Sequence, residues 1–108
     1  YVYGKFIPAN EAVISVNDLS ILRGYGVFDF LRTYKGIPFY LNDHIMRFAE
    51  SAKMIGITLP WSTNKLVELV IKTLNKNAHK EANIRIVATG GISTDCTIPD
   101  SNPGLKHK

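Results

Sequence analysis

The sequence predicts an α+β fold, an antiparallel or mixed β-sheet with two helices on one face. Three observations carry this expectation. Strand-like and helix-like segments are grouped along the chain and do not alternate one by one. A strand pattern over residues 27–34 meets the tight turn Lys35-Gly36 and a returning strand, which is a hairpin signal. Two later segments repeat apolar residues at helical spacing.

The elements follow in chain order. Residues 2–7 and 12–16 read as short strands around Pro8-Ala9-Asn10-Glu11, a turn by composition. Residues 17–26 form a polar, glycine-bearing loop. In the strand 27–34, side chains alternate between faces: Phe28, Phe30, Arg32 and Tyr34 on one, Val27, Asp29, Leu31 and Thr33 on the other. The strand 37–41 returns. Asn42 or Asp43 suits the cap of a helix reaching about residue 55, with Ile45, Phe48, Ala49, Ala52 and Ile55 as its buried stripe and Gly56 as its stop. Ser62 or Thr63 suits the cap of a second helix to about residue 75, with Leu66, Leu69, Val70, Thr73 and Leu74 inside. Residues 83–89 are a strand ended by Gly90-Gly91.

Composition bounds the classes of function. The chain has 108 residues, 45% of them hydrophobic, enough for one small core. Its charge of +4 is spread over scattered lysines with no basic run among aromatics, so nucleic acid is not an expected partner. A single cysteine, Cys96, excludes an internal disulfide framework and suits a reducing compartment. No apolar run is long enough for a bilayer and no leader opens the chain, so a cytoplasmic protein without a membrane partner is expected. The chain opens on Tyr1 and closes after a Pro- and Gly-bearing stretch, which reads as one domain of a longer enzyme, residues 1–98, followed by a linker, residues 99–108.

The candidate chemistry lies in arginines. Arg32 stands among aromatics, and its pattern supports two readings: an anion site on an aromatic wall, or an edge-strand arginine reaching for water. Arg47 projects away from the apolar helix stripe, as a solvated residue or as a fork for phosphate oxygens. Arg85 alternates with Ile84 and Ile86 on a half-covered strand. His44, His79 and His107 lack metal-ligand spacing, Asp29 and Asp43 form no evident acid–base pair, and Cys96 has no catalytic partner in view.

Together these residues carry a resemblance. Asp18-x-x-x-x-Arg23-Gly24-Tyr25-Gly26-Val27-Phe28-Asp29, Arg32-x-Tyr34-x-Gly36, Leu41-x-x-His44-x-x-Arg47-Phe48-x-x-Ser51-Ala52, Ile84-Arg85 and Gly90 are similar to the class IV aminotransferases. These are the fold-type IV pyridoxal-phosphate enzymes: branched-chain and D-amino acid aminotransferases and aminodeoxychorismate lyase. The likeness covers nearly all of the chain.

The resemblance implies the small N-terminal domain of a homodimer that uses pyridoxal 5′-phosphate to move an amino group from an amino acid to a 2-oxo acid. It implies that Arg47 binds the cofactor phosphate. Phe28, Phe30 and Arg32 would form a substrate wall, Tyr25 would lie in the loop lining the pocket, and Arg85 would stand near the substrate. The Schiff-base lysine would lie beyond this chain, so the chain alone is not expected to be a competent transaminase. D-amino acid members carry an arginine and a histidine where Thr94-Asp95-Cys96-Thr97 stands here, which favours a branched-chain-like specificity. The same motifs serve the lyase. A free-standing domain that binds an anion or pairs with itself, without chemistry, is the reading from another class.

Overall fold

The computed structural model describes residues 1–92. Three antiparallel strands form one sheet in the order β2-β1-β3: β1 (Gly26–Tyr34), β2 (Ile37–Pro38) and β3 (Asn83–Thr89). Three helices accompany it: α1 (Leu19–Arg23), α2 (Leu41–Met54) and α3 (Thr63–Asn77). The α+β expectation holds, with α2 and α3 on one face.

The central strand β1 alternates as the sequence requires. Asp29, Leu31 and Thr33 are buried beneath the helices, while Phe28, Phe30, Arg32 and Tyr34 are exposed on the other face. β1 pairs with β3 over seven residues, from Gly26↔Thr89 to Arg32↔Asn83. β2 adds only Thr33↔Pro38 and Tyr34↔Ile37. The Lys35-Gly36 turn has φ of 52° and 76°, the left-handed pair that a two-residue hairpin uses.

The helices follow from their apolar stripes. Ile45, Phe48 and Ala52 of α2 are buried, and Phe48 and Ile45 pack with Leu66 of α3. The Ser62 side chain caps α3 by accepting from Lys65 N–H at 3.2 Å. Gly56, at φ 80°, ends α2.

Several expected elements differ. Residues 2–7 and 12–16 are not strands. Val2 and Lys5 make one isolated bridge around the Tyr3-Gly4 turn, and Ala9–Glu11 is a 3-10 turn. These segments have β-forming residues but join no ladder of the sheet among the described residues. The expected loop 17–26 contains α1, nucleated by Asp18, whose carboxylate accepts from Ser20 N–H at 2.8 Å. Helix α2 starts at Leu41, after Tyr40 in the left-handed conformation; Asn42 and Asp43 lie inside it and do not cap it. Ile55 is exposed, because the helix has ended at Met54 and no longer aims it inward. Helix α3 runs two residues past its expected end, to Asn77.

The end of β3 is fixed by a close approach. Gly90 N–H donates to Tyr25 O at 2.8 Å, and a Cβ on Gly90 would stand 2.4 Å from the Tyr25 ring. That ring is itself held, its hydroxyl donating to Ile55 O at 2.8 Å among Leu19, Ala52 and Ile57. Gly90→Ala is therefore expected to cost about 1–3 kcal/mol of stability, as overpacking of a filled core does, read as a lower urea midpoint. An unchanged midpoint would contradict the close contact.

Candidate functional site

The exposed face of the sheet gathers a wall. Phe28, Phe30 and Arg32 of β1 face the same side as Arg85 and Val87 of β3, with Phe30 directly opposite Arg85. The Arg85 guanidinium lies 5.4 Å from the Phe28 ring centre and 5.9 Å from that of Phe30. Arg32 lies 4.9 Å from the ring of Tyr34. Stacking on aromatic faces orients both cations while their hydrogen-bonding edges stay open to solvent. Such a wall accepts an apolar side chain and a carboxylate side by side.

A further arginine is held from the opposite face of β1. Asp29 is 3% exposed at its side chain and takes two bonds from Arg47: Nε donates to Oδ2 and Nη2 to Oδ1, both at 2.8 Å. His44, one turn earlier on α2, places Nδ1 2.7 Å from Oδ1, and Phe30 N–H donates to the same oxygen at 2.9 Å. With its proton on Nδ1, His44 donates to the carboxylate. Its 3.2 Å approach to Arg47 Nη2 is then a contact between two donors converging on one acceptor. The fork from Arg47 above all, opposed by burial and aided by His44, holds the Asp29 carboxyl at about 2.

This geometry makes Arg47 a rigid cation with a free edge. Its side chain is 66% exposed, and its outward N–H groups meet no partner among the described residues. A planar fork, locked on one side by a carboxylate and open on the other, fits a phosphate group. The residues present therefore fit the cofactor phosphate that the resemblance implies.

The structure brings Phe28, Phe30, Arg32 and Arg85 together on one face and sets Arg47 apart, on the helix side of the same strand. Tyr25 is in the core, 9% exposed, so its ring supports the loop from inside. Asp29 and His44 emerge as the residues that sequence reasoning passed over. One signal for them was present: a carboxylate between Val27 and Leu31 on a covered strand face demands a partner, and His44 and Arg47 sit three residues apart on the next helix. Cys96, His107 and the Thr94–Thr97 stretch lie outside the described residues.

A cleft of about 660 Å³ lies between α3 and β3, lined by Leu66, Leu69, Val70, Ile84, Ile86 and Ala88 among others. It is on the helix side, and its aliphatic floor is bordered by Asn77, His79, Glu81, Asn83 and Arg85. Among the described residues no helix is long and apolar enough to cross a membrane, and no group of three His, Cys, Asp or Glu side chains could hold a metal ion.

Comparison with known proteins bears on the family and the fold. A model of the family described as amino-transferase class IV matches residues 26–105. A protein of Methanocaldococcus jannaschii, provisionally assigned as a branched-chain-amino-acid aminotransferase, is 39% identical over 92 residues, 85% of this chain and 32% of that protein. The D-alanine aminotransferase of Staphylococcus aureus is 34% identical over 93 residues, 86% of this chain and 33% of that enzyme. The branched-chain aminotransferase of Thermoproteus uzoniensis, solved with norvaline, superposes with a TM-score of 0.82 at 31% identity, covering 96% of this chain and 36% of that one. The chain spans about one third of the length of the relatives it matches. A T.th. branched-chain amino acid aminotransferase, solved with N-(5′-phosphopyridoxyl)-L-glutamate, gives a TM-score of 0.77 at 28% identity, covering 92% of this chain and 34% of that one.

Asp29 is expected to show in pH dependence. Its folded pKa, about 2, lies below its ordinary value, so its contribution to stability is present above about pH 4 and is lost as pH falls toward 2. Asp29→Asn should flatten acid unfolding in that window and lower neutral-pH stability by about 1–3 kcal/mol, through a buried group that can no longer accept both Arg47 bonds. An acid-unfolding curve identical to that of the unsubstituted protein would contradict the pairing.

Proposed function

We propose a function from one premise: this chain belongs to the class IV aminotransferase family. The whole protein transfers an amino group from an amino acid to a 2-oxo acid with pyridoxal 5′-phosphate, which supplies an electron sink for the amino acid's α-carbon when bound. The observation that carries this reading is the Asp29-locked fork of Arg47, a preformed seat for one phosphate group.

Each residue has a task in this reading. Arg47 binds the cofactor phosphate, and Asp29 and His44 hold its guanidinium in place. Phe28 and Phe30 pack against the substrate's apolar part. Arg32 and Arg85, lying on aromatic rings of the same face, meet the side-chain carboxylate of a substrate that has one. Tyr25 supports the loop from the core. The relatives include both branched-chain and D-alanine enzymes. The Phe28/Phe30 wall with two arginines, and the lack of an arginine and a histidine in Thr94-Asp95-Cys96-Thr97, support branched-chain-like substrates. The lysine that bonds the cofactor covalently belongs to a further part of the protein. A homodimer accords with the exposed Val13, Val16 and Ile21, which a partner would cover, and a cytoplasmic setting accords with the single cysteine.

Two measurements test this on the whole protein. Arg47→Ala should weaken pyridoxal 5′-phosphate binding about ten- to hundredfold, the loss of charge-assisted bonds to one phosphate. Unchanged cofactor affinity would sink the assignment. Amino transfer dependent on a 2-oxo acid is expected; pyruvate release from aminodeoxychorismate in its place would make the protein a lyase.

A further inference from the structure

We propose that Glu81 is a positioning residue for Arg32, acting through the β1–β2 turn. Its link to a substrate rests on the function proposed above; its effect on Arg32 does not.

Glu81 lies in the loop between α3 and β3, yet its contacts are with the hairpin. Gly36 N–H donates to Glu81 Oε1 at 2.6 Å, and the Thr33 hydroxyl donates to the same oxygen at 3.1 Å. Thr33 is buried and completes the clasp: its hydroxyl accepts from Ala82 N–H at 2.8 Å, and its own N–H donates to Ala82 O at 3.0 Å. Successive turn N–H groups at left-handed φ form a concavity for an anion, and the Glu81 carboxylate fills it. Foremost through the Gly36 N–H, and also through Thr33, Lys35 and the nearby Arg32, the carboxyl is held below its usual range.

The hairpin needs this support. Its ladder has two residue pairs, and Pro38 has no N–H to give. Beyond it, Phe39 N–H donates to Arg32 O at 2.9 Å, and the Phe39 ring meets Tyr34 edge-on at 4.9 Å. Tyr34 is the ring on which Arg32 rests. The chain of contacts therefore runs from Glu81 to the turn, from the turn to the Tyr34–Phe39 pair, and from Tyr34 to the guanidinium on the substrate face. A loosened turn frees the platform, and Arg32 loses its aim.

The test uses the whole protein with Glu81→Ala and Glu81→Gln. In Glu81→Ala, the KM for a 2-oxo acid with a second carboxylate should rise about fivefold, the cost of a misaimed charge-assisted bond, with little change for an apolar monocarboxylic substrate. The Arg32 Nε–H signal in the NMR spectrum should shift together with the Gly36 amide. Glu81→Gln keeps an acceptor for Gly36 and should restore most of both. An Arg32 signal unchanged in Glu81→Ala overturns the proposal, as does an equal rise in KM for both substrates. Should the unsubstituted protein transfer no amino groups, the functional reading fails on its own, while the Arg32 signal still decides the role of Glu81.

Discussion

The buried carboxylate of Asp29 is the interaction on which the rest of the structure depends. It sits on the covered face of the central strand, where an unpaired charge would be costly. Helix α2 answers it with His44 and the fork of Arg47. The pairing therefore docks α2 on the sheet and fixes the rotamer of an arginine whose other edge points outward. An exposed arginine normally loses side-chain entropy when it grips a ligand. Here Asp29 has already taken that loss in the folded state.

The same strand serves two purposes because its side chains alternate. Asp29, Leu31 and Thr33 build downward into helices and loop, while Phe28, Phe30 and Arg32 build outward into a wall. A one-residue slip of β1 against β3 would exchange the faces, burying Arg32 and exposing Asp29. The seven-residue pairing with β3, closed at one end by the tight Gly90–Tyr25 contact and at the other by the Thr33–Ala82 bonds, prevents that slip. Stability and site geometry thus draw on the same register.

What the sequence made legible follows periodicity. The strand faces of residues 27–34, the stripes of Ile45, Phe48 and Ala52 and of Leu66 and Leu69, and the Lys35-Gly36 turn each repeat a local rule. The misreadings came where the outcome depends on distant chain. Residues 12–16 have strand composition but pair with no strand among the described residues, and residues 17–26 read as a loop although Asp18, which also accepts from the distant Thr89 hydroxyl at 2.8 Å, caps a short helix there. The site shows the same division. Arg32 and Arg85 were visible as cations on aromatic or half-covered strand faces, and the motif likeness singled out Arg47. The role of Asp29 was only half legible: its place on the covered strand face asks for a partner, but the strand does not say which residues of α2 supply it. Tyr25 lies in a glycine-bearing loop by sequence, and only the fold shows its ring turned into the core.

Preorganisation of Arg47 by Asp29 is most directly tested by a double-mutant cycle on pyridoxal 5′-phosphate affinity in the whole protein, combining Asp29→Asn with Arg47→Ala. Asp29→Asn should weaken binding when Arg47 is present and have no further effect once Arg47 is gone, because its influence passes through that side chain. Additive losses, with Asp29→Asn as harmful in the Arg47→Ala protein as in the original, would contradict it.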